Sequence, residues 1–281
     1  MLNTKTKIGL ARLAYRLVRA ARSVTGQSSN GVFVRGGIRW ALDLNEGIDF
    51  SIFLLGAFEP RTLRAYRRMI HRGDTVLDIG ANVGAHTLFF AQIVGHDGRV
   101  VAFEPTEFAY RKLQHNLSLN PQLAASVHAH HMLLVDASSG PPPARIFSSW
   151  PLTGGHDLHP KHLGQAQSLG NVESATLDEF VGRQSGLKPT WLKIDVDGNE
   201  CPVIMGGTET IRRFRPRIIM ELSPYTSHEA GYDFVKLIEF FVGLGYRFSN
   251  LENGMRLPSQ ARALERAVPD GAGLNMLLTP D

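Results

Sequence analysis

The chain has 281 residues, enough for one large domain or a domain with a small appendage. Hydrophobic residues make up 43% and charged residues 20%, which excludes wholesale disorder, and no apolar run approaches the ~18 residues of a membrane span. The net charge is +4 and unevenly placed: Lys5, Lys7, Arg12, Arg16, Arg19, Arg22, Arg35 and Arg39 all precede the first acid, Asp43.

That basic arm comes first in the chain. Leu10, Leu13, Ala14, Leu17, Val18 and Ala21 recur at helical spacing, and Arg12, Arg16 and Arg19 line another face. The pattern predicts a basic amphipathic helix of about four turns within residues 1–25, ending before Gly26. Three roles fit it: packing on the domain, contact with an anionic membrane surface, or a targeting presequence. Cations interrupt the N-terminus, so no secretory h-region is expected. The lone Cys201 excludes an internal disulfide and fits a reducing, cytoplasmic compartment, with peripheral membrane contact as a variant. No basic run with interleaved aromatics follows, so nucleic acid is not an expected partner.

Residues 26–72 form the next expected unit. Gly31 to Leu44 predicts a β-hairpin turning at Gly36-Gly37, with Ile38, Trp40, Leu42 and Leu44 on one face. Pro60 opens a helix that runs to about His71, with Glu59 as its expected cap.

Residues 73–281 alternate strands with helices. Thr75 to Ile79 is a short β-branched strand, then comes a glycine turn, then a helix from Thr87. The turn is Asp78-x-Gly80-x-Asn82-x-Gly84. A dinucleotide site needs a bare middle glycine, and Asn82 stands there instead. The turn suits a ligand with an amino-acid end and a ribose but no phosphate, such as S-adenosylmethionine. Asp78 is expected to accept from an ammonium or a structural water. Glu104 ends the next strand, Arg99 to Glu104, where a ribose diol is usually held.

Further along, Glu107 to Leu119 predicts a helix, and Val127 to Asp136 a strand carrying His128, His130 and His131 as strand residues rather than metal ligands. Residues 138–172 are broken by prolines and glycines and predict a lid or substrate loop. His156, His159 and His162 lie in it, splayed too widely on a helix to chelate, and His156 or His159 is a candidate general base. Thr176 caps the next helix. Trp191 to Val196 is a strand with Lys193, Asp195 and Asp197 on one side, where an open α/β sheet binds its ligand. Glu200 is assigned to the dipole of the helix that follows, through Phe214. Arg217 to Leu222 ends near another acid, Glu221. A helix from His228 to Leu244 and an antiparallel edge pair, Tyr246 to Phe248 with Leu274 to Leu278, complete seven strands.

DIGANVGAHT, VVAFEP, KLQHNLSLN, TLDEF, LKIDVDGNE and RPRIIMEL together resemble the successive motifs of FkbM-type methyltransferases over roughly residues 56–280. The resemblance implies a Rossmann-like class I methyltransferase fold, a mostly parallel seven-stranded sheet with helices on both faces. It implies S-adenosylmethionine as cofactor, bound by Asp78, Gly80, Asn82, Gly84, Thr87, Glu104 and Asp136, the last beside the adenine, and it also points Glu59 toward the cofactor site. Its acceptors are hydroxyls of sugars, glycolipids or polyketide-type molecules. Asp195 and Glu221 are then the candidate catalytic acids. By analogy with metal-dependent class I O-methyltransferases, Asp195 and Glu221 with Asp197 can be read as a Mg2+ set. Leu222-Ser223 stands where further paired acids belong, so no metal residue is assigned. Two rival readings are a non-catalytic nucleoside-binding module acting through its arm, and an NAD-dependent oxidoreductase.

Overall fold

The computed structural model describes residues 4–137, 145–148, 150–153, 164–269 and 272–281. Helix α1 (Thr4–Val24) is followed by the hairpin β1 (Asn30–Arg35) and β2 (Ile38–Asp43), then α2 (Gly47–Leu55) and α3 (Pro60–Met69). The core opens with β3 (Thr75–Ile79), α4 (Thr87–Val94), β4 (Arg99–Glu104), α5 (Glu107–Ser118), α6 (Pro121–Ala124) and β5 (Val127–Leu134). A small antiparallel pair, β6 (Arg145–Ser148) and β7 (Gln165–Ser168), precedes β8 (Glu173–Ala175), α7 (Leu177–Arg183) and β9 (Trp191–Ile194). The chain ends through α8 (Glu200–Met205), α9 (Thr208–Phe214), β10 (Arg217–Leu222), α10 (Pro224–Glu229), α11 (Phe234–Gly243), β11 (Tyr246–Asn250), α12 (Ala261–Ala267) and β12 (Leu274–Pro280).

Eight strands make one sheet in the order β11-β12-β10-β9-β3-β4-β5-β8. The strands β10, β9, β3, β4, β5 and β8 run parallel, and β12 is antiparallel to both β10 and β11. The fold is the expected Rossmann-like α/β sheet, with β8 as an eighth, edge strand. Sequence order reverses between β3 and β9, so the crevice beyond their carboxyl ends is where such sheets bind ligands. Helices cover both faces, and two apolar clusters form the core.

The hairpin docks on this core through side-chain amides. β2 buries Ile38, Trp40 and Leu42, and Leu44 follows just beyond it. Its outward N–H groups are satisfied by α5 and its C-terminal corner: Arg39 donates to Asn120 Oδ1 and Ala41 to Asn116 Oδ1, both at 2.9 Å. Asn116 also donates to the Val83 carbonyl at 2.9 Å, linking the hairpin to the glycine turn. Lys112 pairs with the buried Asp49 of α2. Helix α2 escaped the sequence reading because Gly47 to Leu55 is apolar nearly throughout and shows no clean helical stripe. The predicted helix through Val203 to Phe214 is split into α8 and α9 at Gly206-Gly207. A side chain at Gly206 would lie 2.1 Å from the Val135 carbonyl, so that break lets β5 and the helices approach.

Candidate active site

β3 delivers Asp78 to the carboxyl end of the sheet, fully buried. A buried carboxylate needs partners. Thr87, from the first turn of α4, donates to Asp78 Oδ2 at 2.6 Å, and Lys193 Nζ stands 3.2 Å from Oδ1. The ammonium expected at Asp78 is therefore the chain's own lysine. Asp78 and Thr87 brace the turn from beneath and do not line the cavity.

Lys193 is the hub of the site. It is buried in β9, donates to the Gly80 carbonyl at 2.9 Å, and lies 3.6 Å from Asp195 Oδ2. Burial alone would lower its pKa, but Asp78 and Asp195 outweigh that and raise it. It stays charged at any working pH.

The glycines of the turn serve packing. Gly80 has φ +79, and a Cβ there would fall 1.9 Å from the Asp195 carbonyl. Gly84 makes room for Leu88 and Leu113, each within 2.7 Å of an added Cβ. Its missing side chain thus seats α4 on α5. Asn82 is in the left-handed region at φ 50, a conformation that asparagine tolerates.

Glu104 closes the turn from β4. Its Oε2 accepts from the Asn82 N–H at 2.8 Å, and its Oε1 accepts from the Thr106 N–H at 2.9 Å and the Thr106 hydroxyl at 2.5 Å. Burial still outweighs these bonds and holds the carboxyl above its ordinary range. Beyond the ligand role expected from its place at the strand end, Glu104 thus fixes the glycine turn. Asp136 lies just beyond β5, near enough to Cys201 that its charge adds to burial in raising that thiol. A thiol raised in this way is a poor nucleophile at neutral pH.

A cavity of about 790 Å³ opens above the turn. Its polar wall carries Asn82, Lys193, Asp195, Asp197 and Glu221, and its apolar wall comes from α1, α2, Phe58 and Trp150. Glu104 and Asp136 lie outside that lining. Asp195, Asp197 and Glu221 each bring a carboxylate oxygen within 4.8 Å of the others. Enclosure in the cavity wall and the carboxylates of Asp195 and Glu200 hold Asp197 above the ordinary range, although its side chain meets solvent. Burial, then Asp195 and Asp197, raise Glu221 in the same way.

Three residues were under-read from sequence. Glu200 does more than face a helix dipole: its Oε1 accepts from the Val196 and Gly198 N–H groups, both at 3.3 Å, closing the loop that carries Asp195 and Asp197. Burial pushes it up to about 7. Glu59 makes no side-chain cap on α3; its Oε2 instead accepts from Asn275 of β12 at 2.9 Å, at the cavity edge. His86 lines the cavity among Phe58, Tyr66 and Phe90, and burial followed by the charge of Lys193 lowers it to about 3. It is neutral at working pH and a weak base. No spacing signal marks a histidine as buried, whereas Glu200 sits in a motif already singled out. His128, His130 and His131 are strand residues, with His130 stacked on Phe103 and His131 on Tyr110. His156, His159 and His162 lie outside the described residues.

The methyltransferase FkbM domain model matches residues 78–248. No curated protein sequence matches the chain. Among solved structures, it is similar to the methyltransferase FkbM of Methylobacillus flagellatus KT, at 16% identity and a TM-score of 0.48, covering 78% of this chain and 48% of that one. The chain thus spans about half the length of that protein. It is also similar to a SAM-dependent O-methyltransferase of Thermotoga maritima (13% identity, TM-score 0.41, 92% of this chain and 81% of that) and to M. jannaschii TYW2 in complex with AdoMet (12%, 0.42, 90% and 85%). The family match runs from Asp78 through Asn82, Glu104, Lys193, Asp195 and Glu221, the residues that build this crevice, and the chain belongs to the FkbM methyltransferase domain family.

Proposed function

We propose that this protein methylates a hydroxyl of a small molecule held in the cavity, with Asp195 taking the hydroxyl proton. Bound S-adenosylmethionine supplies a methyl group that is already activated by its sulfonium. The residues suited to hold it are the Gly80–Asn82 turn and Glu104, with Asp136 at the far edge. What the chain must add is an oriented oxygen and a place for its proton.

The observation that carries this reading is the position of Asp195. It follows β9 directly, lines the cavity, and keeps its side chain 35% exposed while Lys193 beside it is buried. A carboxylate fixed by Lys193 and open on its other side can accept a hydrogen bond from an acceptor. Glu221 stands next to it as a second acid that orients the same hydroxyl. The NAD reading loses its support with the family assignment, and the cavity with its open carboxylate favours catalysis over a binding module.

A second reading gives Asp195, Asp197 and Glu221 to a divalent cation such as Mg2+. Three carboxylate oxygens within 4.8 Å suit a hard cation, which would polarise the acceptor hydroxyl. One experiment addresses both. Asp195→Asn should bind S-adenosylhomocysteine nearly as the parent does but lower single-turnover methyl transfer to sugar or lipid hydroxyls by about 10²–10⁴. Loss of parent activity in EDTA selects the cation. An unchanged single-turnover rate in the variant removes Asp195 from either role and directs the search to His156 and His159.

A further inference from the structure

Helix α1 has two apolar faces, and the domain uses one of them. Ile8 and Tyr15 are buried, with Ala11, Ala14 and Val18 packed on the same side. Tyr15 meets Phe50 edge-on at 5.7 Å, and its hydroxyl donates to Asn45 Oδ1 at 2.6 Å. The leucines that define the helical stripe in sequence point elsewhere. Leu10, Leu13 and Leu17 are 56%, 57% and 68% exposed. At about 100° per residue they fall, with Val24, within about 60° of one another and opposite Tyr15.

That outer stripe has neighbours of two kinds. Arg16 is exposed about 60° around the helix from Leu13, and the helix carries six basic residues and no acid. At the end of α2, Leu54 and Leu55 are 47% and 57% exposed, and both line the cavity together with Leu10. The same cavity reaches Asp195 and Glu221. An exposed leucine row flanked by Arg16, on a helix without acids, therefore adjoins the cavity. Such contiguous apolar surface marks an interaction site. Leucines on a basic, acid-free helix suit the boundary between anionic headgroups and acyl chains.

We propose that this α1–α2 face seats the protein on an anionic lipid bilayer, so that the cavity opens toward the membrane surface. Taken with the methylation reading above, the acceptor is then a hydroxyl on a membrane-borne amphiphile, its apolar chain lying along Leu10, Leu54 and Leu55.

The test is co-sedimentation of the full chain with vesicles of phosphatidylcholine alone and of phosphatidylcholine mixed with phosphatidylglycerol. Binding is expected at least about tenfold tighter to the anionic vesicles, and weakened at about 0.5 M salt, where headgroup charge is screened. Leu13→Ser with Leu17→Ser, both outside the cavity, should lower that binding by at least about tenfold. S-adenosylhomocysteine affinity should stay unchanged, which also reports that the variant is folded. Equal binding to both vesicles, or none, overturns the proposal. So does a concentration-dependent dimer in sedimentation velocity that the double variant abolishes, since a second copy would then cover the face. Failure to methylate any hydroxyl would refute the methylation reading and leave vesicle binding untouched.

Discussion

Replacing Lys193 with methionine isolates the charge that the turn is built around. Asp78 is fully buried, and its Oδ1 faces Lys193 at 3.2 Å while Oδ2 keeps the Thr87 hydroxyl at 2.6 Å. Removing one member of a buried ion pair costs about 3–5 kcal/mol. The structure sets a ceiling of similar size, because the stranded Asp78 can take a proton instead. Doing so at pH 7, against an unfolded value near 3.9, costs about 4 kcal/mol. The two routes agree, so Lys193→Met should lose about 3–4 kcal/mol in urea unfolding at pH 7. The sign of its pH dependence is also fixed. In the variant the folded state holds the Asp78 proton that the unfolded chain releases, so stability should rise as pH falls from about 7 to about 5, by up to about 1.4 kcal/mol per unit. Asp78→Asn in the same background should recover most of the loss. A single variant that loses less than about 1 kcal/mol, or a double variant no better than the single, refutes the account of Lys193 as the counter-ion of Asp78.

Glu104→Ala should weaken S-adenosylmethionine binding by about 1.5–3 kcal/mol in calorimetry, and unchanged affinity in a folded variant would remove the ribose assignment. His86 is lowered to about 3 in the fold, so the unfolded chain binds its proton first as pH falls. Stability should therefore drop across pH ~6.5 to ~3, by on the order of a few kcal/mol, and His86→Phe should flatten that limb of an acid unfolding series. Gly80→Ala, with its Cβ driven into the Asp195 carbonyl at φ +79, should destabilise by at least about 2 kcal/mol and weaken cofactor binding, both measurable on one purified sample.

The parallel core was legible because buried strands write themselves as short β-branched runs. Thr75–Ile79, Arg99–Glu104 and Arg217–Leu222 occur with the ends that the sequence implied. The Thr176 cap forms a full capping box with Glu179. What escaped depends on partners distant in sequence. Whether Asp78 faces a ligand or a lysine is decided by Lys193, which reaches it only because β9 pairs beside β3. Gly84 carries the family pattern but spends its missing side chain on Leu88 and Leu113. The leucine stripe of α1 marked an amphipathic helix correctly, yet periodicity cannot say which face docks. Tyr15 and Ile8, off that stripe, supply the buried contact. Residues 154–163, with the loop histidines, lie outside the description, so their part in the site rests on sequence.

The crowding of acids at the cavity floor has a consequence for a cationic cofactor. Asp78 and Asp195 flank the buried Lys193, and Asp195 with Asp197 and Glu221 bring carboxylate oxygens within 4.8 Å of one another. Burial and mutual repulsion hold Asp197 and Glu221 above the ordinary range, and a cation bound beside them favours their ionised forms. S-adenosylmethionine is cationic at sulfur, and the product S-adenosylhomocysteine is not. On the proposed function, the same carboxylates are expected to favour the sulfonium form over the product that has lost that charge. Asp197 is the member exposed to solvent, so its share is screened to about 1 kcal/mol, or about fivefold. Asp197→Asn should narrow the ratio of S-adenosylmethionine to S-adenosylhomocysteine affinity by about that factor, in EDTA and at one pH, with little change in the affinity for the neutral product. A ratio that stays the same, or a loss shared equally by both ligands, would mean that Asp197 shapes the cavity and does not read the charge at sulfur.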